Sequence, residues 1–203
     1  YKAFYCFIRT RSRFVYRLQP LVGRISFSNK ACYNSFMENN TTLSGLGYTQ
    51  PLYILPFAHR TGLYKLFGWT EPLTDEQINA MKSGRRLIFD AILQAVAQGV
   101  PKENTPIFTD DIYGKEVLLE AAAKGFMTFL TTEKSGIPYF DFEHGENYKT
   151  IISEINPTFT KALVRFNPEG NQDENARSLQ NLKKLSDFSH ENGYKFVIEP
   201  LVA

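Results

Sequence analysis

The sequence predicts an α/β fold, a (β/α)8 barrel of the TIM type that is truncated after about five strands. Short apolar runs alternate with helix-like segments, which predicts parallel strands joined by crossover helices. Charged or amide residues follow the runs: Asp110-Asp111, Glu133-Lys134-Ser135-Gly136, Arg165-Phe166-Asn167-Pro168-Glu169 and Glu199. Polar side chains at the carboxyl ends of such strands are typical of the catalytic face of a barrel enzyme.

A doubly wound open sheet is compatible with the same number of strands. The barrel is favoured because no strand is followed by a G-x-G-x-x-G or Walker phosphate loop. An eight-stranded barrel needs about 250 residues, and this chain has 203. We therefore expect about five-eighths of a barrel.

The elements can be placed from periodicity and end signals. The predicted strands are Leu52–Phe57, Pro106–Thr109, Phe126–Thr132, Phe159–Phe166 and Tyr194–Val202. A capping box at Thr74-Asp75-Glu76-Gln77 opens the first long helix, which Gly99 and Pro101 end. Its apolar positions are Leu87, Ile88, Ala91, Ile92, Ala95 and Val96. Further helices are predicted at Tyr113–Lys124, Glu146–Ile155 and Asp173–Asn192, the last with Leu179, Leu182, Leu185 and Phe188 inward.

The charges divide the chain into a basic tail, 1–36, a lead-in, 37–51, and the predicted barrel, 52–203. The tail has seven Lys or Arg and no acid, and both cysteines, Cys6 and Cys32, lie in it. Such a tail is compatible with a transit peptide or a nucleic-acid-binding arm. We favour a natural start at Met37, with residues 1–36 as upstream read-through or a cloning remnant, and no bound nucleic acid. The cysteine-free remainder fits a reducing cytoplasm, and no apolar run approaches the roughly 18 residues that span a bilayer.

The strand that contains Lys161 and Arg165 carries the strongest site signal. These cations are four residues apart, so they share one face of the strand. If that face is the barrel interior, both need anionic partners, because an unpaired buried charge is costly. Glu133, Glu199 and a phosphorylated substrate are candidate partners. A structural ion-pair network is the alternative, and the spread of both signs over several strands favours a functional site.

Two other strand ends supply weaker candidates. Arg60 follows the first strand and suits phosphate or carboxylate recognition, with His59 beside it; a loop role is equally compatible. Asp111 is predicted to cap the following helix. Asp110, closer to the strand end, is the candidate for a polar role.

No metal is expected. Glu143, His144 and Glu146 match no known metal motif and are interpreted as a solvated helix start. The histidines His59, His144 and His190 are scattered rather than clustered. His190 is interpreted as a cation at a helix carboxyl end.

Three segments carry a resemblance to a known family: Tyr53–Arg60 (YILPFAHR), Glu133–Gly136 (EKSG) and Lys161–Gly170 (KALVRFNPEG). From about residue 50 onward the chain resembles a bacterial aldolase-type domain that occurs alone or fused behind a sugar kinase of inositol catabolism. That domain is associated with 2-deoxy-5-keto-gluconate 6-phosphate aldolase. More distantly, the strand ends resemble class I tagatose-bisphosphate aldolases.

The resemblance implies a class I aldolase, in which a lysine forms a Schiff base with a keto-sugar phosphate. It implies that Lys161 is an active-site cation and Glu199 an acid–base carboxylate, the two catalytic candidates. The candidate substrate-binding residues are His59, Arg60, Asp110, Glu133, Lys134, Arg165 and Asn167. No cofactor is implied; a fused or associated sugar kinase is a candidate partner, and homo-oligomers stay open.

Two departures from the family pattern change what we expect. Ala58 stands where the family has Asp, and the Schiff-base lysine of the related aldolases lies on a sixth strand. We therefore expect this 203-residue chain to be inactive and, with exposed strand edges, prone to aggregate. The alternative function is a non-catalytic sugar-phosphate-binding barrel that acts as a sensor or as the partner domain of a kinase.

Overall fold

The computed structural model describes residues 47–202. The predicted tail, 1–36, with both cysteines, and the lead-in as far as residue 46 lie outside the described residues. Leu52–Ala203 forms one compact unit.

Five parallel strands form one sheet in chain order, and the sheet is curled into a half-barrel. They are β1 Leu55–Pro56, β2 Ile107–Thr109, β3 Thr128–Thr131, β4 Phe159–Phe166 and β5 Lys195–Val202. All four neighbouring pairs are parallel. The mixed α/β class and the parallel sheet that the alternating pattern predicts are thereby confirmed.

Helices fill the connections between the strands. They are α1 Thr61–Leu66, α2 Asp75–Ala97, α3 Asp111–Ala123, α4 Tyr148–Ile155 and α5 Gln172–Glu191, with 3-10 turns at Lys102–Asn104 and Gly145–Asn147. The predicted capping box is present: Gln77 N donates to Thr74 Oγ1 and Thr74 N donates to Gln77 Oε1. Among the described residues, no helix has the length and apolar character needed to cross a membrane.

Two local predictions are wrong, and one helix was not predicted. The first strand is only two residues long, because it lies at the sheet edge and Pro56 has no N–H to donate. Leu179 in α5 was expected to point inward, yet 56% of its surface is exposed; Leu87, one of the apolar positions of α2, is 71% exposed. The unpredicted helix is α1, which is six residues long and has no side-chain cap.

The buried face of α2 contains a charge. Its buried residues are Met81, Arg85, Phe89 and Ile92, which are spaced three to four residues apart. A search for apolar residues alone does not detect this face, because one of its members is Arg. The buried guanidinium of Arg85 pairs with Asp110 at 2.9 Å. Burial of this pair fixes α2 against the end of β2.

The helices pack on one face of the sheet in two apolar clusters. One includes Leu130, Ala162 and Leu185, and the other includes Phe89 and Ile107. The opposite face, which we call the inner face, carries a stack of three rings from neighbouring strands. Phe108 and Phe129 have ring centroids 5.4 Å apart, and Phe129 and Phe159 are 4.1 Å apart. The candidate site lies directly beyond this aromatic stack.

Candidate functional site

Lys161 is the centre of an ion-pair network on the inner face. It lies opposite Thr131 in the β3–β4 register, two residues beyond Phe159. Its Nζ donates to Glu133 Oε1 at 2.9 Å and pairs with Glu199 Oε2 at 2.8 Å. The ammonium also lies 5.5 Å from the centroid of the Phe108 ring, a favourable cation–π distance. Only 5% of the Lys161 side chain is exposed, so solvent screens these interactions weakly.

Arg60 joins the same network from the end of β1. Its Nη2 donates to the backbone oxygen of Glu133 at 2.6 Å, and its Nη1 lies 2.7 Å from Glu143 Oε2. The guanidinium therefore holds the end of β3 and the following loop together, which keeps the Glu133 carboxylate within reach of Lys161.

The loop after β3 positions Glu143 by folding back on itself. Glu133 forms an isolated antiparallel bridge with Phe142, and Glu143 N donates to Thr132 O at 3.0 Å. Glu143 Oε2 also accepts from Ser135 N at 3.2 Å. Backbone pairing thus returns Glu143 to the strand end that carries Glu133.

The network contains two cations, Arg60 and Lys161, and three carboxylates, those of Glu133, Glu143 and Glu199. Its formal charge is therefore −1. The carboxylates differ in exposure: 16% of the Glu133 side chain is exposed and 46% of the Glu199 side chain. Glu199 is thus the carboxylate that solvent and a ligand reach most easily.

The network also contains unsatisfied polar atoms. Among the described residues, three buried side-chain atoms have no hydrogen-bond partner: Arg60 Nε, Thr131 Oγ1 and Glu133 Oε2. All three belong to the ends of β1 and β3. Leaving such an atom unpaired costs about 1–3 kcal/mol, so this concentration marks a place where ordered water or a ligand would supply hydrogen bonds.

Asp110 is placed differently from the sequence prediction. Its Oδ1 accepts from Tyr113 N at 2.8 Å, so Asp110, and not Asp111, caps α3. Its Oδ2 accepts from Arg85 Nε at 3.0 Å, and the residue is fully buried. Both oxygens are therefore occupied by structural partners.

Four other substrate-binding candidates lie outside this network. His59 is exposed, and its carbonyl accepts from Arg85 Nη2. Lys134 and Arg165 are exposed and form none of the ion pairs found within residues 47–202. Asn167 shapes the turn after β4, because its Oδ1 accepts from the backbone N of Glu169 at 3.0 Å.

Sequence reasoning missed two side-chain pairs. Glu143 is an ion-pair partner of Arg60, and His144 Nε2 lies 2.6 Å from Asp111 Oδ2, although these residues were interpreted as a solvated helix start. The pairs depend on the backward fold of the loop, which has no periodic signal. Across residues 47–202 no group of three or more His, Cys, Asp and Glu side chains could hold a metal ion.

Two tyrosines near the site have raised pKa values. Burial, followed by the hydrogen bond to Tyr113, raises the pKa of Tyr64 well above its ordinary value. Burial, followed by the charge of Glu146, raises the pKa of Tyr148. Both phenols therefore stay neutral over the physiological range.

These features define a class: a parallel α/β half-barrel with a buried cation between carboxylates beyond the aromatic stack of its inner face. The model of a family described as "Uncharacterized protein conserved in bacteria", DUF2090, matches residues 41–203. The chain belongs to this family. No curated protein matches the chain.

Proposed function

We propose that this domain is an aldolase-type lyase that cleaves a phosphorylated keto sugar or keto sugar acid in carbohydrate catabolism. The observation that carries the proposal is the Lys161 ammonium held between Glu133 and Glu199 on the inner face. The resemblance stated above supplies the reaction class. As part of the proposal, the half-barrel belongs to a TIM-type barrel in a cytoplasmic enzyme of inositol catabolism.

The proposed chemistry is a retro-aldol cleavage. A substrate hydroxyl on the carbon β to the carbonyl gives its proton to Glu199 as the carbon–carbon bond breaks. The bonding electrons move toward the carbonyl carbon, which a Schiff base turns into an electron sink. Lys161 donates hydrogen bonds to the reacting oxygens, which an ammonium between two carboxylates is well placed to do.

Glu199 is assigned as the proton acceptor because of its exposure. It is the more exposed of the two carboxylates on Lys161, so it can turn toward a ligand without leaving a buried charge behind. Glu133 is more deeply placed and holds Lys161 in position. Lys161 is not assigned as the nucleophile. A nucleophilic lysine must be neutral, whereas the Lys161 ammonium is ion-paired with two carboxylates.

The test is borohydride trapping with 2-deoxy-5-keto-gluconate 6-phosphate on the product of the complete gene, which would supply the sixth-strand lysine that the resemblance implies, read by intact mass and peptide mapping. The lyase assignment predicts a reduced covalent adduct on a lysine other than Lys161. A Glu199→Gln variant is expected to bind the compound and to release far less aldehyde product. An adduct on Lys161 would overturn the roles given to these residues.

A second candidate is a non-catalytic domain that binds a sugar phosphate as a sensor or as the partner of a sugar kinase. Ala58 favours it, since this residue lacks the carboxylate that the resembling family has at the end of β1. Reversible binding in calorimetry without any trapped adduct would support this candidate. Absence of binding by the wild-type chain would refute both.

A further inference from the structure

The three unpaired buried atoms at the carboxyl ends of β1 and β3 form one connected group. Arg60 donates to the backbone of Glu133, Glu133 accepts from Lys161, and Lys161 lies opposite Thr131 in the register. Arg60 and Thr131 are only 7% and 4% exposed. Three such atoms on interlinked residues form a group that one ligand, or ordered water in its absence, would satisfy together.

The chemistry of the three atoms describes that partner. Arg60 Nε is a donor, Glu133 Oε2 as a carboxylate oxygen is an acceptor, and Thr131 Oγ1 is both. A ligand that both donates and accepts at adjacent positions satisfies all three. Adjacent hydroxyls, or a hydroxyl beside a carbonyl, have this property, whereas a phosphate dianion offers only acceptors to Glu133.

The charge of the network also favours hydroxyls over a phosphate at these three atoms. The network around these atoms already has three carboxylates against two cations, so it offers a phosphate no net positive charge. Arg165 lies four residues beyond Lys161 on β4 and is exposed. Four residues of strand correspond to about 13 Å, so Arg165 is placed for the far, anionic end of the ligand.

Glu199 is the member of the network that can most easily make room for a ligand. Its side chain is half-exposed, and a partly solvated ion pair holds its geometry weakly. Rotation of Glu199 away from Lys161 would leave the Lys161–Glu133 hydrogen bond in place.

We propose that Arg60 Nε, Thr131 Oγ1 and Glu133 Oε2 form a hydroxyl subsite, which binds the adjacent hydroxyls of the sugar while its phosphate lies toward Arg165. This inference rests on the proposed function, because it assigns the orientation of the same substrate. It makes Thr131 a binding residue that no motif indicates.

Thr131→Val tests the subsite, since valine has the same shape and no hydroxyl. If the hydroxyl is an orphan in the free protein, the variant unfolds at a higher urea concentration than the wild type. If the hydroxyl binds substrate, the variant binds 2-deoxy-5-keto-gluconate 6-phosphate about tenfold more weakly in calorimetry, a factor that corresponds to 1.4 kcal/mol. The variant is thus expected to be more stable but to bind more weakly. Loss of a purely structural hydrogen bond would instead lower the stability.

Thr160→Val is the matched control. Thr160 is fully buried on the neighbouring strand β4, and its hydroxyl lies 2.8 Å from Ser189 Oγ. This variant is expected to be less stable than the wild type and to bind the sugar phosphate unchanged. Inorganic phosphate is the second probe: an Arg165→Gln variant should lose affinity for it, whereas Thr131→Val should not.

The outcomes separate this inference from the proposed function. Wild-type binding together with unchanged binding by Thr131→Val overturns the subsite and leaves the function standing. A Thr131→Val variant that is less stable than the wild type also overturns it, because the hydroxyl then has a partner. No binding of the sugar phosphate by the wild type overturns both.

Discussion

Replacement of Lys161 by methionine tests whether the ion-pair network is as buried as the structure indicates. The substitution keeps the length of the side chain and removes the charge. Glu133 then loses the partner of its Oε1, while its Oε2 has none already. An uncompensated buried carboxylate is the expected consequence.

The magnitude follows from burial. Breaking a fully buried ion pair by removing one partner costs about 3–5 kcal/mol. Here Glu199 can relax into solvent and Glu133 is slightly exposed, so we expect about 2–3 kcal/mol. For a chain of this size each kcal/mol lowers Tm by about 2–4 °C, so the expected decrease is roughly 4–12 °C.

The assay is urea denaturation followed by circular dichroism, with the fluorescence of Trp69, the one tryptophan of the chain, as a second probe. Lys115→Met is the matched control, because Lys115 pairs with Glu154 at the same 2.8 Å on an exposed surface. No measurable change is expected there. Lys161→Met/Glu133→Leu should regain most of the lost stability, since it removes both members of the buried pair.

Equal stability of Lys161→Met and the wild type at neutral pH would refute the reasoning, because it would mean that water already solvates the network.

Three further predictions concern the helices. Gly114→Ala should destabilise the fold by about 1–3 kcal/mol in urea, since its new Cβ would lie 2.6 Å from Thr109 Cγ2; Gly84→Ala, with no atom within 4 Å, should instead stabilise it by about 0.5–1 kcal/mol. Asp110→Asn should keep the cap of α3, lose the charge pair with the buried arginine of α2, and cost about 2–4 kcal/mol in the same assay. The raised pKa of Tyr64 means that folding favours its neutral form, so stability is complete below the ordinary value of 10.0 and falls as the pH rises above it; urea midpoints against pH should decline less steeply for Tyr64→Phe.

Much of the fold could be predicted because local signals agree with it. Strand β4 was predicted at Phe159–Phe166 and is found there, since an apolar run bounded by Asn156-Pro157 and Asn167-Pro168 allows little else. The Thr74 capping box likewise fixes the start of α2. The short helix α1 has neither a cap nor an apolar stripe, so its stability comes from tertiary contacts such as the Tyr64–Tyr113 hydrogen bond.

The candidate site was predicted only in part for a related reason. Lys161, Glu133, Glu199 and Arg60 could be grouped, because the carboxyl ends of parallel strands meet at one edge of the sheet. Glu143 and the Asp111–His144 pair could not, since the fold of a loop determines them. Asp110 was assigned to ligand binding because it lies closest to the strand end. Its actual partner, the buried arginine on α2, has no signature in an apolar pattern.

The unequal lengths of the strands have a consequence for selectivity. Strand β3 ends at Thr131, opposite Lys161, whereas β4 continues for five residues to Phe166 and pairs with β5 along its whole length. Five residues amount to about 16 Å, so these two strands extend past the network on one side, whereas on the other side the chain leaves β3 and folds back as a loop. A ligand bound at the network would extend along these two strands. Short compounds would be expected to bind at one end only, and length itself becomes a criterion for recognition.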